Sequence, residues 1–455
     1  MNNQVTQSSG QLPSYITSAT PNPAEKRAPW YKTTAQTYAG IFLWFVFWDS
    51  MSGNGLSTGG LGAALIGVVL GALICHFCFY LIPGLLGMRT GLPLYVVGTS
   101  TFGAVGGLIM PGFLMGALQF GWLGVNTFGS ADALAKGFHA PGLYIPLCII
   151  WAVAAGFVGL KGIQYVAKVA TYLPIIPLVV LVIGLGLFAG SAGDYKPLPA
   201  AAGASSGGLQ AILLMVAAIV GFFATAGAAG VDICTSNRDD KDVKMGGAVG
   251  IVIAIIFTAG ISVIAVAGAR AAGVIDPSVS NMTSALEKKL SPGLFAAIMI
   301  GLTIASFPGA CFSSFIAANS FKTVMPKVNP FLSVGIGTIV SIILAVTGAA
   351  GKLPSVFGLI GASFGPIVGA MVVDYLLSGR RWVGPRAGFN PAGWIAWLLG
   401  FIVGILPNLH VNVPCAPVAA FIVGAVVYFI CAKLGMQSQV IPLPIKAQPA
   451  AAAAR

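Results

Sequence analysis

Apolar residues run along this chain in stretches of about 20 positions, long enough to cross the ~30 Å bilayer core as helices. They lie near 37–57, 60–82, 104–131, 141–160, 168–189, 209–232, 244–268, 294–320, 331–349, 353–378, 391–408 and 414–434. Polar positions are confined to short gaps and the two ends. Short alternating strands, the mark of a β-barrel, are absent. The pattern predicts an all-α integral membrane protein of about twelve transmembrane helices, with one transmembrane domain over 37–434. Residues 1–36 lack a basic start followed by a short apolar core, so no cleavable signal peptide is expected. They are predicted to form a disordered cytoplasmic leader, and 435–455, rich in Pro and Ala, a disordered cytoplasmic tail.

Composition agrees: 57% of the 455 residues are hydrophobic and 7% charged, against roughly a quarter charged in soluble domains. The net charge of +12 raises the question of a nucleic-acid polymer as partner. The basic residues, however, stand singly or in pairs between apolar runs rather than on one polar face, which argues against it. They report topology instead. With a cytoplasmic N-terminus, only Lys136, Lys196, Arg270, Lys288, Lys289 and Lys352 fall outside, and the remaining 17 of the 23 Lys and Arg fall inside. That bias predicts an even number of spans, both termini in the cytoplasm and residence in the cell's inner (plasma) membrane.

Seven cysteines cannot all pair within one chain, and all lie in or beside apolar segments, so structural disulfides are not expected. Cys75 and Cys78 flank His76 within a predicted helix, where small sulfur side chains pack as hydrophobes. No resident metal or cofactor is expected. The three histidines, His76, His139 and His410, are scattered, which weighs against an integral-membrane enzyme, since that would need clustered titratable groups.

Two segments five spans apart carry helix-breaking composition: Trp44–Gly55 (WFVFWDSMSGNG) and Val220–Gly230 (VGFFATAGAAG). Unwound helices in matching positions of two repeats expose amides and carbonyls that bind substrate and ion; otherwise such Gly and Ala serve close helix packing. Asp49 lies in the first. A mid-span carboxylate costs roughly 2.5–3.5 kcal/mol to insert, so it needs a cation, a proton, or a hydrogen bond from a neighbouring Ser, Thr or backbone group. Asp232 and Asp374, nearer span ends, are expected to pair with Arg238 and Arg380. In the third span, Gln119 and Trp122 are three apart and share a helix face. An amide and an indole together can hydrogen-bond and stack on a planar heteroaromatic ring.

With these residues in view, the sequence resembles the nucleobase:cation symporter-1 family, in particular its cytosine and purine permease branch. The resemblance rests on GxxQxGWxG at Gly116–Gly124, on Gly221, Phe223, Thr225, Ala226, Gly227 and Asp232 in the sixth span, on GPIxGxxxxDYLLxxRR from Gly365 to Arg381, and on TGLP at Thr90–Pro93. It implies a LeuT-like 5+5 inverted repeat plus two C-terminal helices, working by alternating access around a central site. It places Gln119, Trp122, Phe223 and Thr225 at the substrate. The coupling cation, Na⁺ or H⁺, would sit at Phe47 and Ser50 of the first span and Thr303 and Ser306 of the eighth. Asp49, where the family has a small residue, would add a ligand to Na⁺ or take up a proton in its place. Span eight itself departs from the pattern, reading Thr303, Ala305 and Pro308 where cytosine permeases carry Asn or Trp.

The function expected is cation-coupled symport of a nucleobase such as cytosine or a purine, or a related heterocycle, across the lipid bilayer, without covalent chemistry. The nearest rival is an amino-acid or amine symporter of the same fold, in which free helix amides grip a carboxylate. A passive channel would need a ring of charge or a repeated filter sequence, and neither is present.

Overall fold

The computed structural model describes residues 12–161, 170–197 and 207–443. Ten helices among them are long and apolar enough to cross a membrane: α3 (Leu56–Thr90), α4 (Leu108–Gly137), α5 (Pro141–Lys161), α6 (Ile175–Asp194), α7 (Gly208–Ala228), α8 (Asp240–Ala271), α10 (Pro292–Val324), α12 (Leu353–Leu377), α13 (Pro391–Leu409) and α14 (Ala416–Lys433). Ahead of them the first apolar segment is split into α1 (Thr34–Phe42) and α2 (Phe45–Met51). The ninth is the shorter α11 (Pro330–Val346). A small helix, α9 (Met282–Lys289), lies in the connection between α8 and α10. The chain is thus a multi-pass, all-helical membrane protein. The start of the fifth expected span falls partly on 162–169, outside the described residues.

Sequence punctuation sets the ends. Pro occupies the first helical position of α10, α11 and α13, where its missing N–H costs nothing. The Asp239 carboxylate accepts from Asp242 N ahead of α8, and the Asn281 amide accepts from Ser284 N in α9, each satisfying an otherwise orphaned amide.

Packing divides the helices into two groups. The α1–α2 pair, α3, α7 and α8 form one, the first two segments of each set of five. Helices α4, α5, α10 and α11 form the other, the third and fourth of each set. Helix α6 lies against α8 and α12 against α7, and the C-terminal pair α13 and α14 packs on α12. This is the LeuT-like arrangement expected.

The interruptions need correction. The first segment breaks at Leu43–Trp44, where Trp44 is extended (φ −64°, ψ 120°) and α2 resumes at Phe45, so the interruption begins the Trp44–Gly55 stretch instead of filling it. That stretch ends in a turn at Gly55, whose φ of 79° favours glycine. The second interruption is confined to the end of its expected stretch: α7 is helical through Val220–Ala228, and at Ala229 it breaks into the short helix Gly230–Cys234. Its glycine at 221 serves close approach, since a Cβ there would stand 2.7 Å from the Phe357 carbonyl oxygen.

The described parts of the termini also depart from expectation. From residue 12 the leader is docked: Ile16 is buried, the Tyr15 hydroxyl donates to the Ala104 carbonyl, the Arg27 guanidinium to the Met88 carbonyl at 2.8 Å and Asn22 N to the Gly91 carbonyl at 2.9 Å. The end of α3 leaves carbonyls without helical partners, and the leader supplies donors. The tail pairs with 385–387 through Ala387 N to Gln439 O and Ile441 N to Pro385 O, both 2.8 Å; 444–455 lie outside the described residues.

The acidic partners differ too. Asp374 pairs with Arg386, not Arg380, at 3.2 Å and accepts from Ser100 Oγ and Tyr428 Oη, each at 2.7 Å. Arg238 pairs with Asp242 at 2.7 Å, leaving Asp232 to accept Leu94 N at 2.9 Å. The turn after α12 brings Arg386 back to Asp374, whereas Arg238 is taken by the carboxylate four residues on, leaving Asp232 to an amide from another segment.

Candidate functional site

The break at Leu43–Trp44 turns the Trp44 indole off the helical path and against α4 and α7. Its ring lies 6.0 Å from that of Trp122 and 6.1 Å from that of Phe222, centroid to centroid. Trp122 in turn contacts Phe222 edge-on at 5.1 Å and Phe357 of α12 at 6.0 Å, and Phe222 meets Phe357 at 5.5 Å. One ring from the break between α1 and α2 and three from α4, α7 and α12 therefore close one aromatic box. Edge-to-face and offset contacts are the favoured aromatic geometries, so ring packing itself supports the shape of the box.

Two polar groups of the expected substrate set meet here. Trp122 Nε1 donates to Thr225 Oγ1 at 3.1 Å. Gln119, one turn before Trp122, is buried, and the contact of its amide nitrogen is with Met115 Sδ at 3.6 Å, a weak acceptor that leaves most of its capacity unspent.

Phe223 does not join them. It is fully buried against Phe42 and Tyr38, and Phe222 faces Trp122 instead. Helix geometry explains this: positions 222 and 225 are three apart and share a face with Thr225, whereas 223 and 225 do not. Sequence spacing contained that signal.

The expected cation set is divided. Thr303 and Ser306 of α10 point to α4: Ser306 Oγ is 2.8 Å from Ser130 Oγ, and Thr303 Oγ1 donates to the Met299 carbonyl at 2.9 Å and towards the Ser130 carbonyl at 3.4 Å. Asn126 completes the cluster, its Oδ1 accepting from Ser130 Oγ at 3.2 Å and its Nδ2 reaching the Ser306 carbonyl at 3.4 Å. All four side chains are buried. Asn126 and Ser130 were not anticipated, although two polar residues four apart in an apolar helix mark a shared polar face.

The first-segment members lie elsewhere. The Phe47 ring packs on Phe222 at 4.5 Å and on Phe42 at 5.2 Å, and its carbonyl accepts from Ser50 Oγ at 2.8 Å. Neither is hydrogen-bonded to Thr303 or Ser306. Asp49 is turned outward along α2 to the start of α9, where its carboxylate accepts from Thr283 N at 2.9 Å and Thr283 Oγ1 at 2.6 Å. In this structure the carboxylate caps α9: exposed amides at a helix N-terminus draw a carboxylate, and two donors from one residue satisfy it. Cys75 and Cys78 are free, and no cluster of His, Cys, Asp or Glu fit to hold a metal occurs among the described residues.

No family model matches the chain. The cytosine permease of Escherichia coli (strain K12) is 25% identical to it over 81% of this chain and 82% of the relative. A putative allantoin permease of the same strain is 23% identical over 76% and 78%. Among solved structures, the inward-facing conformation of Mhp1 superposes with a TM-score of 0.66 at 18% identity, covering 93% of this chain and 95% of that one. Mhp1 closed on bromovinylhydantoin, described as a nucleobase-cation-symport-1 family transporter, gives 0.61 at 18% identity over 92% and 98%. A Na⁺-coupled sialic acid symporter gives 0.58 at 13% identity over 93% of each chain. Both curated relatives are named as permeases.

Proposed function

We propose that this chain is a member of the nucleobase:cation symporter-1 family, and that it carries a planar nitrogen heterocycle of the nucleobase or hydantoin kind across the membrane by alternating access, coupled to Na⁺. The observation that carries this reading is the aromatic box of Trp44, Trp122, Phe222 and Phe357, with Thr225 bonded to Trp122 and Gln119 three residues before Trp122 on the same helix face. Flat rings bind by stacking between aromatic faces, and an amide reads the polar edge of a base by donating and accepting together.

None of these six residues is charged, and the Asp49 carboxylate is already engaged by Thr283. A zwitterionic amino acid would bring two charges to a site with no counter-charge, at a desolvation cost of several kcal/mol per ion. The amino-acid or amine alternative is disfavoured for that reason.

For the cation, Thr303 and Ser306 supply buried neutral oxygens, with Ser130 and Asn126 beside them. Hard monovalent ions are held by such oxygens, whereas a proton needs a titratable group, and the cluster contains none. That favours Na⁺ over H⁺. Uptake of labelled cytosine, uracil and hydantoin into proteoliposomes, with and without an inward Na⁺ gradient, tests both parts. We expect saturable accumulation of at least one heterocycle that collapses when the gradient is dissipated. Accumulation of amino acids in preference to heterocycles would sink the substrate class, and uptake indifferent to Na⁺ would sink the coupling.

A further inference from the structure

The docked leader is fastened at two ends to different helix groups. At its start, the Tyr15 hydroxyl donates to the Ala104 carbonyl, the Tyr15 ring lies 6.0 Å from that of Tyr95, and Ile16 is buried. The segment gripped there, 94–104, leads into α4, and its helix Leu94–Val97 packs on the first turns of α4 at Leu108–Phe113. This end is therefore held to the second group. Further along, Asn22 N donates to the Gly91 carbonyl at 2.9 Å and Asn22 Nδ2 to the Thr235 carbonyl at 3.1 Å. The Arg27 guanidinium reaches the Met88 carbonyl, and Ala28 N the Ser236 carbonyl, each at 2.8 Å. Met88 and Gly91 belong to the end of α3, while Thr235 and Ser236 follow α7, so this end is held to the first group.

Between the two fastenings the leader stands off the body. Thr20, Asn22 and Lys26 roof a polar cavity of about 300 Å³ whose floor includes Gly91, Asp232 and Thr235. Asp232 accepts from Leu94 N at 2.9 Å, which places the cavity where the approach to α4 meets the segment after α7, at the seam between the groups. Among residues 12–33 only Ile16 is buried. Lifting the leader would mainly exchange hydrogen bonds to carbonyls for hydrogen bonds to water, a small net cost per bond. Parting the groups along the seam without lifting it would strain both fastenings.

Resting on the alternating-access reading above, we infer that residues 15–28 form an autoinhibitory strap, which covers a cargo exit at this seam and restrains its opening. The distribution of Lys and Arg assigns that face to the cytoplasm. The strap slows the parting of the two groups without touching cargo in the aromatic box. Because a strap restrains only while both ends are held, release of either end has the same consequence.

Two double variants of the full chain release one end each: Tyr15→Phe with Ile16→Ala, and Asn22→Ala with Arg27→Met. Hydrogen–deuterium exchange in detergent should quicken about tenfold across 12–28 in both. In proteoliposomes, the maximal uptake rate of whichever of cytosine, uracil or hydantoin the unaltered chain accumulates should rise about threefold or more in both. The half-saturating concentration should stay near its original value, and so should the melting temperature. A slower rate with a lower melting temperature would make the leader a structural brace, and an unchanged rate despite faster exchange would mean it covers no exit. Unchanged exchange would show that these contacts do not hold it, and each of these three results overturns the inference. If the unaltered chain accumulates no heterocycle, the transport reading fails and exchange alone judges the strap: Tyr15→Phe with Ile16→Ala should then also quicken exchange across 230–237, on the far side of the seam. Exchange confined to the freed end would overturn the strap in that case.

Discussion

Asp49→Ala removes both acceptors of Thr283 from the start of α9. Loss of an N-terminal capping partner costs roughly 0.5–2 kcal/mol, and hydrogen bonds to a charged group are each worth about 1.5–3 kcal/mol when fully buried. Asp49 is only partly buried, which reduces the second figure by solvent screening. A net loss of about 1–2 kcal/mol follows, or a five- to thirtyfold rise in the open population of the α8–α10 connection. That connection is otherwise tied to α8 by Arg270 Nε donating to the Val279 carbonyl at 2.9 Å, so it should loosen without detaching. Hydrogen–deuterium exchange on the detergent-purified protein reads this directly. Amides of Met282–Lys289 should exchange five- to thirtyfold faster in Asp49→Ala, and Thr283→Val should act in the same direction with little further effect when the two are combined. Unchanged exchange in α9 together with lost Na⁺ dependence of uptake would refute the capping assignment and return the carboxylate to the ion.

Three further outcomes follow from the packing. Arg386→Met leaves Asp374 as a buried carboxylate without its ion partner, which should cost about 3–5 kcal/mol and lower the unfolding temperature in detergent; pairing it with Asp374→Asn should recover much of the loss, and no recovery would contradict the assigned pair. Phe222→Leu should weaken cargo binding at least several-fold while Phe223→Leu changes stability but leaves affinity near the unaltered value, because Phe222 alone of the two contacts Trp122; the reverse ranking in a binding titration would place the wrong ring in the box. Gly221→Ala puts a Cβ 2.7 Å from the Phe357 carbonyl oxygen, so α7 and α12 must separate, with a loss of about 1–3 kcal/mol visible as a lower melting temperature; an unchanged melt would show that the approach is looser than described.

Solvent was legible from the sequence because it leaves its mark on every residue: a chain with 7% charge must bury its backbone polar groups in helices before it can enter lipid. Length and apolar content then set the helices, and Gln119 with Trp122 followed from a three-residue spacing on one face. Pairing across helices is another matter. Asp49 is adjacent in sequence to Phe47 and Ser50, yet its partner Thr283 is 234 positions away, and only the path of the α8–α10 connection brings them together. The Val220–Gly230 glycines could equally permit unwinding or close contact, and the nearness of Phe357 to Gly221 settled which. The sequence by itself determined membrane, helices and the shared face of Gln119 and Trp122, since those depend on local composition and periodicity. The tertiary structure decided which of them meet, because hydrogen bonds and ring contacts act over a few ångströms and nothing in a linear pattern records that distance.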